Sequence, residues 1–158
     1  MKDEKEIWTD GGCEPNPGLG AWAWICDEGV RGSGTVNNST NNRMELQAIL
    51  ESIQSNRNKS LIIYSDSEYC VNGINQWMHK WEKNSWKKRK GEIKNLDLWK
   101  IIYSECKQNK ILLIWVRGHS GNLGNEEADM MVNQKIREAR GEVDPRIFRP
   151  MKTNYEIT

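Results

Sequence analysis

A chain of 158 residues with 37% hydrophobic and 28% charged side chains has the size and balance of one soluble domain built on one core. No stretch is long and apolar enough to span a bilayer, and the charged start Met1-Lys-Asp-Glu-Lys-Glu lacks the apolar run of a secretion signal, so a cytoplasmic protein is expected. Cys13, Cys26, Cys70 and Cys106 form no CxxC pair and read as free thiols, which argues against a zinc site.

Three β-type runs come first, near Lys5–Thr9, Ala21–Cys26 and Val30–Val36, separated by Gly, Pro and Asn turn signals that predict an antiparallel meander. Asp10 closes the first run and opens Asp-Gly-Gly, itself a strong turn signal. A helix follows, because Leu46, Ile49, Leu50 and Ile53 recur at helical spacing and put one stripe on the sheet. Glu45 lies near its start. Ser60–Ser65 is a short apolar strand closed by Asp66. Helices are predicted over Ser67–Trp77 and Asn95–Lys107, then a last strand over Ile111–Val116 and a closing helix from about Asn122 to Arg137 that carries Asp129. Antiparallel strands followed by strand–helix alternation imply an α/β protein with a mixed sheet and helices packed on it.

The net charge of +1 hides an asymmetry. Residues 80–94 hold seven Lys and Arg against two Glu, a local +5 that leaves −4 for the rest of the chain. Such a run can be a solvated face that binds nothing. Here Trp77, Trp81 and Trp86 interleave with the lysines, and aromatic plus cationic side chains make a platform for nucleic acid.

Asp10, Glu45, Asp66 and Asp129 each have a plain structural reading. Asp10 could start a turn, Asn42 and Glu45 have capping-box spacing, Asp66 could cap a helix, and Asp129 could be a solvated residue beside an apolar stripe. Gathered in one place, the same four would repel one another and resist ionisation unless cations sat between them. Hard oxygen ligands of this kind suit Mg²⁺ or Mn²⁺. His119, flanked by Gly118 and Gly121, sits in a loop where an imidazole could pass protons near neutral pH, whereas His79 reads as a surface residue.

Seven segments then occur in the order found in type 1 ribonuclease H. They are Thr9-Asp-Gly-Gly-Cys, Asn16-Pro-Gly, Thr40-Asn-Asn-Arg-Met-Glu-Leu, Tyr64-Ser-Asp-Ser, Gly73-Ile-Asn-Gln-Trp, Asn95-Leu-Asp-Leu-Trp and Trp115-Val-Arg-Gly-His-Ser-Gly. From about Lys5 to Lys135 the chain resembles that family. The resemblance implies a ribonuclease H-like fold, with a mixed five-stranded sheet of three antiparallel strands and then parallel strands, flanked by helices. It also implies a domain over residues 1–140 with a basic handle at 80–94, and a C-terminal extension at 141–158.

The activity implied is an endonuclease hydrolysing the RNA strand of RNA/DNA hybrids without sequence preference, leaving 5′-phosphate and 3′-hydroxyl ends. Two Mg²⁺ ions, with Mn²⁺ as a substitute, would serve it and no organic cofactor would. By resemblance Asp10 and Asp66 hold one ion, Asp10, Glu45 and Asp129 hold the other, and His119 shuttles a proton. Asn16, Asn41, Asn42 and Glu68 match positions lining the RNA strand, whose 2′-hydroxyls set it apart from DNA; Glu68 stands where glutamine is common. Thr40 and Asn95 match a DNA-phosphate pocket whose third, often basic, member falls on the neutral Asn38. Trp77, Trp81, Lys87, Lys88, Arg89 and Lys90 belong to the handle that grips the DNA strand. A stand-alone monomer without an obligate protein partner is expected. Two rivals remain, a catalytically silent hybrid-binding module and another nuclease or integrase on the same fold.

Beyond the last helix, Gly141-Glu-Val-Asp-Pro-Arg-Ile-Phe-Arg-Pro lies outside the resemblance, and Pro145 and Pro150 keep it from continuing as helix. Ile147 and Phe148, the only phenylalanine, are expected to dock on the domain surface and add about 1–3 kcal/mol. Truncation after Arg140 should therefore lower the melting temperature in calorimetry while leaving hybrid cleavage largely intact. An unchanged melting temperature would remove the docked pair.

Overall fold

The computed structural model describes residues 3–142, so the expected docking of Ile147 and Phe148 lies outside the described residues. Five strands, β1 (Glu4–Cys13), β2 (Gly18–Cys26), β3 (Arg31–Ser39), β4 (Ser60–Ser65) and β5 (Ile111–Trp115), form one sheet in the order β3-β2-β1-β4-β5. The first three pair antiparallel, while β4 runs parallel to β1 and β5 parallel to β4. This is the mixed sheet expected from the sequence, and β1 is at its centre.

Side-chain alternation divides the sheet into two faces. Ile7 of β1, Trp24 and Cys26 of β2, and Leu61 and Ile63 of β4 join a core cluster with Leu46, Ile49 and Ile53 of helix α1 (Asn41–Ser55) and Leu98, Trp99 and Ile102 of helix α4 (Leu96–Gln108). On the other face, Ala21 and Ala23 of β2 pack against Val132 and Ile136 of α5 (Leu123–Ala139). Small residues there let that helix lie close. Among the described residues no helix is long and apolar enough to cross a membrane.

Two boundaries differ most from the sequence reading. Gly11, Gly12 and Cys13 do not turn after Asp10 but extend β1, pairing with Trp22, Ala21 and Gly20 of β2. The helix expected to stop at Trp77 instead runs from α2 (Glu68–Asn72) through a π turn (Gly73–Trp77) into α3 (Met78–Lys83), which makes Lys80 and Lys83 helical. Burial explains the continuation, because Ile74 and Met78 are buried in the main core and Trp81 packs on it, so the apolar stripe outlasts the expected end.

The π turn adds a residue where the helix meets the fully buried Trp99. A Cβ on Gly73 would lie 2.1 Å from the Trp99 ring. Gly73→Ala should cost about 1–3 kcal/mol through overpacking, read as a lower midpoint in denaturant unfolding, because neither the ring nor the helix has room to yield. A midpoint equal to that of the unmodified protein would contradict this packing.

Candidate active site

The carboxylates gather at the C-terminal ends of the two central parallel strands. Asp10 lies near the end of β1, and Asp66 follows the last residue of β4. The register that pairs Trp8 with Tyr64 carries Asp10 and Asp66 side by side two residues further on. Glu45 comes from the first turns of α1, which approaches the sheet closely because Gly11 has no side chain. A Cβ there would lie 2.3 Å from the Met44 carbonyl carbon and 2.5 Å from the Glu45 nitrogen.

The competing structural readings of these acids meet different local chemistry. Helix α1 is capped by Thr40, whose side chain accepts from the Arg43 N–H, so Asn42 and Glu45 form no capping box. Helix α2 is capped by Ser67, which accepts from the Cys70 N–H and frees Asp66 from that task. Asp10 is 6% exposed and sits in a paired strand rather than a turn.

Ligand oxygens of Asp10, Glu45 and Asp66 lie within 4.8 Å of one another. Asp129 of α5 lines the same cleft of about 370 Å³, together with Asn41, His119, Cys13, Glu14 and Asn133. Burial, followed by the Asp66 and Asp129 charges, holds the Asp10 carboxyl well above the usual carboxylate range. Burial and then the charges of Asp10 and Asp66 do the same to Glu45. The Glu45 Oε1 is buried with no hydrogen-bond partner. A lone pair left over inside a cluster of hard oxygen donors fits a divalent cation, which would supply the missing partner and offset the repulsion.

His119 is exposed, with φ +55° in the loop before α5, and borders this cleft. Its loop is tied down on both sides: the Ser120 hydroxyl donates to the Arg117 carbonyl at 2.6 Å, and the Gly121 N–H donates to Glu126 at 2.9 Å.

The residues expected to meet substrate fall into two groups. Asn16 accepts from the Asn41 N–H at 3.0 Å, and the Asn41 side chain accepts from the Cys13 N–H at 2.7 Å, so this pair staples the β1–β2 turn to the start of α1 beside the acidic cleft. Asn38, Asn42 and Glu68 are exposed, Asn38 with φ +57°. Asn95, in the left-handed region at φ +59°, accepts from Arg43 at 3.3 Å and donates to the Tyr69 hydroxyl at 3.1 Å. Arg43 also binds Asp97 with both terminal nitrogens, at 3.0 and 2.6 Å, which links α1, bearing Thr40 at its cap, to the start of α4.

A second cleft of about 370 Å³ is lined by Tyr69, Trp77, Trp81, Lys88, Ile93 and Lys94. Trp77 and Trp81 lie 6.1 Å apart, while Trp81 meets Trp99 edge-on at 5.4 Å. Lys87, Arg89 and Lys90 are exposed but do not line it.

The sequence reading overlooked Asn125 and Asn133. They flank Asp129 at four-residue steps on α5, and both bond to acids: Asn125 donates to Asp66 at 3.3 Å and Asn133 to Asp129 at 3.4 Å. That spacing was the available signal.

A family model described as RNase H matches residues 2–137. A ribonuclease H of Francisella philomiragia is 45% identical over 145 residues, covering 89% of this chain and 95% of the relative. One from Dechloromonas aromatica is 45% identical over 141 residues, covering 86% and 95%. Among solved structures, LC9-RNase H1, described as a type 1 RNase H with the type 2 active-site motif, matches with a TM-score of 0.75 at 23% identity over 92% of this chain and 76% of that one, a likeness of fold.

Because Asp10 and Glu45 hold protons more tightly in the folded metal-free protein than in the unfolded chain, stability from these groups is full below the unfolded carboxylate range, about pH 4, and is lost as pH rises through their raised values. Thermal scans in EDTA should therefore show Asp10→Asn more stable than the unmodified protein at pH 8, with the gap smallest near pH 4 and reduced again by added Mg²⁺. A gap independent of pH would contradict the buried repulsion.

Proposed function

The chain belongs to the ribonuclease H family, and from that premise we propose that it is an endonuclease hydrolysing the RNA strand of RNA/DNA hybrids without sequence preference. The observation that carries the proposal is the convergence of Asp10, Glu45 and Asp66 within 4.8 Å, with an unpartnered Glu45 oxygen among them. Asp10 and Asp66 would hold one divalent cation, and Asp10, Glu45 and Asp129 a second. Two Mg²⁺ ions, or Mn²⁺, would when bound activate the attacking water and offset charge on the leaving 3′-oxygen, giving 5′-phosphate and 3′-hydroxyl ends. At the mouth of the cleft, a ring nitrogen of His119 would take up and release a proton in each turnover.

Selectivity for a hybrid requires reading both strands. Asn16 and Asn41 already spend their side-chain oxygens on backbone N–H groups, which leaves their NH₂ groups as donors for RNA 2′-hydroxyls; Asn42 and Glu68 would complete that edge. Thr40 and Asn95 would hold a DNA phosphate, without a cation from Asn38. The second cleft would seat the DNA strand, with Trp77 and Trp81 against sugars or bases and Lys88 on phosphate, while Lys87, Arg89 and Lys90 add charge around it. Residues 1–140 form the catalytic domain in this reading, the extension from 141 lies outside the chemistry, and the protein acts as a cytoplasmic monomer.

Matched RNA/DNA, RNA/RNA and DNA/DNA duplexes incubated with Mg²⁺ and then EDTA test the proposal. Only the RNA strand of the hybrid should be cut, and only with metal. Asp10→Asn should reduce cutting to background, and His119→Ala should slow it on the order of a hundredfold, the low end for lost acid–base catalysis. Cleavage of hybrid by folded Asp10→Asn at the normal rate would falsify the assignment.

A further inference from the structure

Asn125 is 2% exposed, one of the largest fully buried polar side chains in the protein, and it takes no part in the chemistry proposed above. A buried amide costs stability unless its hydrogen bonds are met, so its partner is informative. The partner is Asp66: Nδ2 donates to Oδ2 at 3.3 Å. The same Oδ2 is walled in on another side by Gly118, where a Cβ would stand only 2.9 Å away. The Asp66 main chain is held too, its carbonyl accepting from the Trp115 indole N–H at 3.2 Å.

Asn125 itself is fixed from behind, because its N–H is capped by the Asn122 side chain at 3.0 Å. Asp129 follows one turn later on the same helix. We infer that Asn125 is a positioning residue for the metal site: by binding one oxygen of Asp66 it locks that carboxylate's rotation and leaves Oδ1 to face the cleft. Through the same helical turn it sets the separation of Asp66 from Asp129, two acids that arrive on unconnected elements. The inference rests on the proposed metal site and adds to it a residue that touches neither cation nor substrate. Partners of this kind are worth about 10–100-fold in metal affinity.

The test compares Asn125→Leu, which keeps the volume and removes the donor, with Asn125→Asp, which keeps the shape and turns the donor into an acceptor. For each, the melting temperature is followed in EDTA and then through a Mg²⁺ titration without substrate, and kcat and KM for hybrid are measured across Mg²⁺ concentrations. We expect the Mg²⁺ midpoint for thermal stabilisation to rise tenfold or more in both variants. Lost kcat should return at high Mg²⁺, with KM for hybrid within about twofold of normal. A purely structural asparagine would lower the EDTA melting temperature but leave the Mg²⁺ midpoint unchanged, and that result in either folded variant overturns the inference.

If neither variant folds, the unmodified protein decides by NMR, since the Asn125 side-chain amide signals should shift on Mg²⁺ addition and lose that response in Asp66→Asn. Amide signals indifferent to Mg²⁺ overturn the inference equally. Should the unmodified protein show no Mg²⁺ stabilisation at all, the metal site itself has failed, an outcome distinct from the failure of Asn125.

Discussion

Mutual repulsion among buried carboxylates is the constraint around which this protein is arranged. Coulomb energy between like charges a few ångströms apart grows as water is excluded, so Asp10, Glu45 and Asp66 within 4.8 Å form an arrangement the chain would relax out of if it could. It cannot, because each acid is delivered by an element anchored elsewhere. Asp10 is in the central strand, Asp66 directly follows the strand parallel to it, and Glu45 rides a helix whose Met44, Leu46, Ile49 and Ile53 are fully buried. The hydrophobic core therefore supplies the work of holding the charges together. Local geometry serves the same end, since the missing side chain of Gly11 allows α1 to approach β1 without displacing its backbone.

Helix α5 treats the opposite face of the sheet differently. Its contact with β2 is built on alanines and a few aliphatic residues, a thin layer beside the larger core under α1 and α4. What it adds is polar order: Asn125 on Asp66, Asn133 on Asp129, and Glu126 on the loop that bears His119. The site thus has a rigid side set by apolar packing and a side set by hydrogen bonds. Hydrogen bonds of this sort contribute about 0.5–1.5 kcal/mol each, so motion near the cleft should concentrate on the α5 side.

Much of this was legible in the sequence, and the reasons differ by residue. Asp10 and Asp66 were visible because each closes a short β-type run of the sequence. The sheet was visible because Gly, Pro and Asn punctuate the early strands. Other features were not. The extension of β1 through Gly11-Gly12-Cys13 was hidden because consecutive glycines look like a turn until Trp22 is known to lie opposite. The run of helix past Trp77 was hidden because a π turn breaks the 3.6-residue spacing on which a helical stripe is recognised. Asn125 drew no reading, since its four-residue step from Asp129 marks a shared helix face but not the bond to the distant Asp66. Similarly, Thr40 rather than Asn42 caps α1, its hydroxyl oxygen accepting from the Arg43 N–H.

The aromatic root of the basic segment has a consequence for how this chain can change over time. Trp81 rests edge-on against the fully buried Trp99, Ile93 is 7% exposed, and Trp86 packs on Tyr103, so the segment is continuous with the interior it projects from. It is therefore no detachable cassette. A lineage that shortened it would uncover Trp99 and would have to cover that surface with new side chains before the shorter form could persist. Length at this point in the chain and the identity of residues deep in the fold are thus inherited together.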